Sequence, residues 1–206
     1  MMDHLKTFSA PDKSPGLKTR LTAGFTVIEV LMVMAILSIA FGTIYKSFEQ
    51  LNRSYTTENV KAGIQQGARI AVELMVQDIR LAGLDPLGTA NAGFAAGISA
   101  ELPTTNWIEF TTDVNFDGDV DTADDFENIK YELVGSELKQ TNHLGTETML
   151  DNVTNLTFTY LDSDDQTTTD INEIRSVIVS LTMEKPAGRA EPVSRTYTTK
   201  VRCRNL

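Results

Sequence analysis

The 206-residue chain is poor in the side chains from which most catalytic and metal centres are built. Its one cysteine, Cys203, excludes an intrachain disulfide and a cysteine-based zinc site. Two histidines, His4 and His143, leave little for a histidine metal centre or for most acid/base catalysis. There is no nucleophile elbow, no phosphate-binding glycine loop and no histidine-bearing metal motif, so the expectation is a structural and interaction protein and not an enzyme. Basic residues are outnumbered 18 to 28, a formal net charge of -10, so no nucleic-acid partner held by phosphate neutralisation is expected. No internal repeat is visible. With 41% hydrophobic and 22% charged residues a packed core is within reach, and wholesale disorder is not expected.

What is present is unevenly distributed. Residues 1–24 are polar and mildly basic, with Lys6, Lys13, Lys18 and Arg20 against Asp3 and Asp12, and Pro11, Pro15 and Gly16 argue against an early helix. Residues 25–45, FTVIEVLMVMAILSIAFGTIY, then form a 21-residue run with a single charge. At about 1.5 Å per residue such a helix spans about 30 Å, the hydrocarbon thickness of a bilayer. A buried core helix would normally keep a polar stripe, so membrane insertion is the reading. The basic flank precedes the span, which keeps the amino terminus in the cytoplasm and exports the remainder.

The exception in the run is Glu29. A carboxylate among Phe25, Val27, Ile28, Val30 and Leu31 costs several kcal/mol unless it is paired, protonated or near the membrane edge. No basic partner lies nearby on the same helix, but a cut before Phe25 would create an α-amino group, on this chain or a neighbouring copy. Gly24-Phe25-Thr26-Val27-Ile28-Glu29-Val30-Leu31, behind a short basic leader and before an apolar run, resembles the class III signal of type IV prepilins and type II pseudopilins. The resemblance implies cleavage by a prepilin peptidase after Gly24, methylation of the new Phe25 amine, and a role for Glu29 in docking the subunit into a filament through a neighbour's amino terminus. It also implies that the apolar run stays in the mature protein.

Helical spacing continues over residues 46–84. Phe48, Leu51, Tyr55, Val60, Ile64, Ala71, Leu74, Met75 and Ile79 recur at helical spacing, with mixed charges between them, no proline from 46 to 82, and Gly83 as a stop. Gly63 and Gly67, each costing about 1 kcal/mol relative to alanine, mark a place for a bend. Gln65-Gln66-Gly67-Ala68-Arg69, then Asp78-Ile79-Arg80-Leu81-Ala82-Gly83, and the closing Val201-Arg202-Cys203-Arg204-Asn205-Leu206 resemble PilW-like minor pilins. The glutamine-rich segment and its continuation are also similar to J-type minor pseudopilins of type II secretion.

Residues 85–206 read as a globular head. A small-residue loop over 87–100 precedes short strands at 107–110, 129–133 and 137–141, the last two joined as a hairpin. Alternation then places Leu156, Phe158 and Tyr160 on one face of a strand at 153–160, with Val177, Val179, Leu181 and Met183, and Tyr197, Thr199 and Val201, in the runs that follow. The expected class is α+β: a long amino-terminal helix, its first half membrane-spanning, packed against a mostly antiparallel β-sheet head, as in pilins. Charge is segregated, with 18 acidic residues between Asp85 and Asp170 against Lys130 and Lys139. That face either meets a basic neighbour or reflects solubility and cation binding.

The sharpest signal in the head is the loop 113–124. Oxygen side chains fall at its positions 1, 3, 5, 9 and 12, and glycine at 6, the spacing with which an EF-hand-type loop wraps calcium. The expected ligands are Asp113, Asn115, Asp117, Asp119 through its carbonyl, Asp121 and Asp124, holding a structural Ca²⁺. The loop departs from the EF-hand pattern in carrying Asp124 where glutamate is usual, and in lying between strands and not helices. The alternative is a solvated acidic turn. Asp162-Ser163-Asp164-Asp165 lacks that spacing and reads as a solvated hairpin turn.

The expected protein is a minor pilin, processed at Gly24/Phe25 by prepilin peptidase, held in the bacterial inner membrane with a periplasmic head, and then built into a type IV pilus with major and minor pilins. A minor pseudopilin of a type II secretion system and a calcium-dependent tip adhesin are the alternatives. An adhesin should expose an apolar patch, with Phe94, Trp107 and Phe116 as its aromatic candidates.

Overall fold

The computed structural model describes residues 24–95, 97–98, 101–102, 104–121 and 126–206. Its described residues divide into two compact units, 24–47 and 48–206, and one helix, α1 (Val27–Leu81), contributes to both.

In the first unit the helix has no buried face. Every large apolar side chain from Phe25 to Tyr45 is exposed, from 45% at Val30 to 83% at Phe25. The most apolar 18-residue window has a mean hydropathy of 2.4, long and apolar enough to cross a membrane.

In the second unit α1 has a buried stripe only from Ile64 onward; Phe48, Leu51, Tyr55 and Leu74, which the helical spacing also marked, are exposed. Ile64, Ala68, Ala71, Val72, Met75 and Ile79 are buried at spacings of three and four, so one stripe faces the core. Neither Gly63 nor Gly67 interrupts it. An added Cβ at Gly63 would meet nothing, whereas at Gly67 it would lie 3.1 Å from Leu150 Cδ1, so Gly67 lets the sheet approach the helix. The helix stops before Gly83, which takes a left-handed φ of +75° and donates its amide to Thr111 O at 3.1 Å. Asn205 Nδ2 donates to the carbonyls of Arg80 and Leu81 at 3.3 and 3.4 Å, satisfying at Arg80 an acceptor that the helix end leaves open, while Leu81 O also accepts from Leu84 N at 2.9 Å.

The strands form two four-stranded sheets in which every pair is antiparallel, β1-β6-β7-β8 and β2-β3-β4-β5. The first contains β1 (Thr104–Thr105), β6 (Val153–Leu161), β7 (Ser176–Ala187) and β8 (Ala190–Arg202). The second contains β2 (Trp107–Thr111), β3 (Asn128–Val134), β4 (Glu137–Asn142) and β5 (Gly145–Asp151). The α+β class is as expected, with the strands divided between two sheets. The split arises at Asn106, between β1 on the edge of β6 and β2 on the edge of β3. The 129–141 hairpin forms with a two-residue turn whose Gly135 has a φ of +65°.

Alternation is realised in the register. Leu156 lies opposite Leu181, Phe158 opposite Val179 and Tyr160 opposite Val177, and all six side chains are buried. Both prolines of the last hairpin sit where a missing N–H is tolerated: Pro186 at a register irregularity in β7, and Pro192 in the edge strand β8. β5 carries no alternation and is mostly exposed, which is why its sequence, GTETMLD, does not announce a strand. Asp162–Asp165 is a mostly exposed turn closed by Asp162 N donating to Gln166 O at 2.9 Å.

One polar joint ties α1 to β3 and β4. The hydroxyl of fully buried Tyr131 donates to Asp78 Oδ2 and accepts from Gln140 Nε2 at 2.9 Å, while Gln140 Nε2 also approaches Asp78 Oδ2 at 3.4 Å. Burial raises the Asp78 carboxyl above its ordinary pKa and the Tyr131 bond draws it part of the way back. Burial, then the Asp78 charge, pushes the Tyr131 phenol up, so it remains the donor.

Candidate functional site

Two regions carry the candidate residues. At the amino-terminal region, Gly24 and Phe25 precede α1 and are exposed. An added Cβ at Gly24 would meet nothing among the described residues, so packing there does not require glycine. Thr26 caps the helix: its carbonyl accepts from Glu29 N at 3.1 Å and Val30 N at 3.2 Å, and its Oγ1 accepts from Glu29 N at 3.3 Å. Thr26-Val27-Ile28-Glu29 thus follows the capping-box spacing, a pattern legible in the sequence but not used above. Glu29 sits in the first turn, where the helix dipole favours a negative charge. Among the described residues no ion pair joins Glu29 to a basic side chain. The arrangement offers an accessible Gly24–Phe25 peptide bond and, one turn away, an exposed carboxylate in apolar surroundings.

The acidic loop lies between β2 and β3. Asp113 is fully buried; its amide donates to Leu84 O at 2.8 Å, and its Oδ2 accepts from Gly118 N at 3.1 Å. Gly118 has a φ of +85°, and an added Cβ would lie 2.4 Å from Thr89 Oγ1, so the turn demands glycine. Thr89 Oγ1 donates to Gly118 O at 2.7 Å and fastens the turn to the segment after α1. Asn115 Oδ1 accepts from Asp117 N at 2.9 Å, and Asp117 Oδ1 accepts from Asp119 N at 3.0 Å. Phe116 takes a left-handed φ of +64°, uncommon for a bulky residue.

Asp113, Asn115, Asp117, Asp119 and Asp121 thus share one tight loop, while Asp124 lies outside the described residues. Among the described residues no three His, Cys, Asp or Glu side chains are gathered as a ready metal cluster. The structure adds one residue that spacing did not suggest. Glu127 is fully buried, with Oε1 accepting from Val114 N at 3.2 Å and Asn115 N at 3.5 Å, and Oε2 accepting from Asp121 N at 2.7 Å. It joins both limbs of the loop from outside the twelve-residue pattern, so only a fold could reveal it.

Of the three aromatic candidates, Phe94 and Trp107 pack against the core and Phe116 is exposed. Cys203 is buried, and burial pushes its thiol up to about 12.

Comparison with curated proteins and with solved structures gave no match. Residues 19–45 match the prokaryotic N-terminal methylation motif. This motif, a type IV pilin-like prepilin signal, implies processing by a prepilin peptidase and association with other pilins, and together with the apolar helix it fits a membrane-anchored chain.

Proposed function

We infer that the chain is a PilW-like minor pilin, cut between Gly24 and Phe25, methylated on Phe25, and built into a type IV pilus or used to prime its assembly. The observation that carries this reading is the methylation motif over residues 19–45, with Glu29 as the lone carboxylate of an otherwise apolar, exposed helix start. An exposed apolar helix needs a lipid or protein environment, and a filament core supplies one after the membrane has done so. In that setting Glu29 acquires its missing partner, the amine of a neighbouring Phe25.

The minor-pilin subtype rests on the sequence resemblance alone. Two of the segments that carry the PilW resemblance, 78–83 and 201–206, meet in space: Asn205 caps Arg80 and Leu81, and Leu206 lies where a Gly83 side chain would be. The pseudopilin alternative shares the same signal and is separated by phenotype. The adhesin reading has less support, because only Phe116 of the three aromatic candidates is exposed.

The deciding experiment is the intact mass and amino-terminal peptide of the chain from membrane and sheared-filament fractions. A chain beginning at N-methylated Phe25 in both fractions is expected, together with weakened piliation on deletion. Loss of protein secretion with normal piliation moves the assignment to the type II system. A chain still carrying Met1 and confined to the membrane refutes both. Glu29→Val should leave processing intact and remove the chain from the filament fraction.

A further inference from the structure

Among the described residues of the 113–127 region, the two buried acids, Asp113 and Glu127, are in opposite states. Glu127 uses both oxygens on three main-chain amides. Asp113 uses one: Oδ2 accepts from Gly118 N, and Oδ1 is buried with no hydrogen-bond partner among the described residues. No basic side chain pairs with Asp113 among the described residues. A fully buried carboxylate with one bare oxygen and no counter-charge is costly, and a cation removes that cost by supplying both a partner and a charge.

The carboxylate is held in the loop by its bond to the turn glycine, which is also where the remaining oxygen groups converge in sequence. Asn115, Asp117, Asp119 and Asp121 are exposed, so the loop offers one buried anchor and an open side for entry. Asp117 Oδ2 accepts from Asn115 Nδ2 at 3.0 Å, an exposed side-chain contact easily exchanged for a metal. We propose that the 113–121 loop binds one divalent cation, with Asp113 Oδ1 as the buried ligand, Asn115, Asp117 and Asp121 contributing side-chain oxygens and Asp119 its carbonyl. Glu127 is a positioning residue that holds the two limbs together, not a ligand. An all-oxygen set on a loop that must adjust selects calcium over magnesium, which demands a stricter octahedron, and over metals that prefer nitrogen or sulfur. This inference is independent of the filament reading.

The test uses the full chain in detergent micelles, stripped with chelator and titrated calorimetrically with Ca²⁺ and then Mg²⁺, with the thermal midpoint followed in parallel. One Ca²⁺ per chain is expected, with a Kd on the order of 10⁻⁵–10⁻³ M, at least tenfold weaker binding of Mg²⁺, and a rise in Tm with calcium. Asp113→Asn should abolish binding while leaving the metal-free protein at least as stable as the parent, because the buried charge is gone. Asp117→Ser, at an exposed position, should weaken Ca²⁺ at least tenfold with the metal-free Tm unchanged. Glu127→Gln should lower the metal-free Tm and be rescued by excess Ca²⁺. No heat and no Tm shift at millimolar Ca²⁺, equal responses to Ca²⁺ and Mg²⁺, or parental binding by folded Asp113→Asn would each overturn the proposal.

Discussion

Tyr131→Phe removes one oxygen atom from the joint between α1 and the β2–β5 sheet, and its effect should depend on pH in a defined direction. At neutral pH the hydroxyl donates to Asp78 and accepts from Gln140. A hydrogen bond to a charged group contributes about 1.5–3 kcal/mol. Gln140 Nε2 already lies 3.4 Å from Asp78 Oδ2 and can take up part of the loss, so a cost of about 2 kcal/mol is expected. With Asp78 protonated, the same bond joins two neutral groups and its loss costs about 1 kcal/mol. The linkage runs the same way. Burial raises Asp78 in the folded protein, so the stability it contributes is fully present below its unfolded pKa and is lost as pH rises through the folded one. The Tyr131 bond restrains that rise, so the phenylalanine variant loses more on going from acid to neutral pH. For a folded unit of this size, about 2 kcal/mol corresponds to about 4–8 °C in Tm at pH 7, falling to about half that at acid pH. Urea unfolding of parent and variant, followed by near-UV circular dichroism in the same detergent across this range, measures the difference, in which the other carboxylates cancel. A penalty that is constant with pH, or larger at the acid end, refutes the reasoning.

Three further substitutions or treatments test the packing. Gly83→Ala forces a side chain into a residue at φ +75°, with its Cβ 2.3 Å from Leu206 Cδ2, and should cost about 2–3 kcal/mol by denaturant unfolding. Gly63→Ala meets nothing and should stabilise by up to about 1 kcal/mol, which the same unfolding curves would show as a higher midpoint. Cys203, buried and with its thiol pushed up to about 12, should resist alkylation at pH 8 in the native protein and react fully in urea, as read by mass; rapid native labelling would contradict its placement.

Local patterns in the sequence predicted local structure well. The stripe from Ile64 to Ile79, the stop at Gly83, the alternation through Leu156, Phe158 and Tyr160 and the turn at Gly135 are each set by neighbours a few residues apart, and each is realised. What was not legible depends on distance. β5 has no buried face to impose a period and is a strand because β4 pairs with it. The division into two sheets turns on which partner β1 and β2 each find, and neither strand encodes that choice. In the loop, the spacing places glycine at 118, where the turn needs it, but Glu127 belongs to the same structure through main-chain bonds that a side-chain motif does not describe. Thr26 is the reverse case, a capping residue legible from spacing alone and overshadowed by the cleavage signal around it.

The cap on α1 also sets an order of events. Arg80 and Leu81 receive their hydrogen bonds from Asn205, 125 and 124 positions away, and the path to Asn205 passes through both sheets. Contacts of such separation are made only after the intervening chain has given up its freedom. The turn itself is closed locally, by Ala82 N donating to Ile79 O and Leu84 N to Leu81 O, whereas the Asn205 bonds wait for the segment after β8 to dock, with Cys203 N donating to Arg175 O at 3.0 Å as the adjoining fastening. In native-state hydrogen exchange the amides around 79–83 and 201–205 should open together, as one cooperative unit.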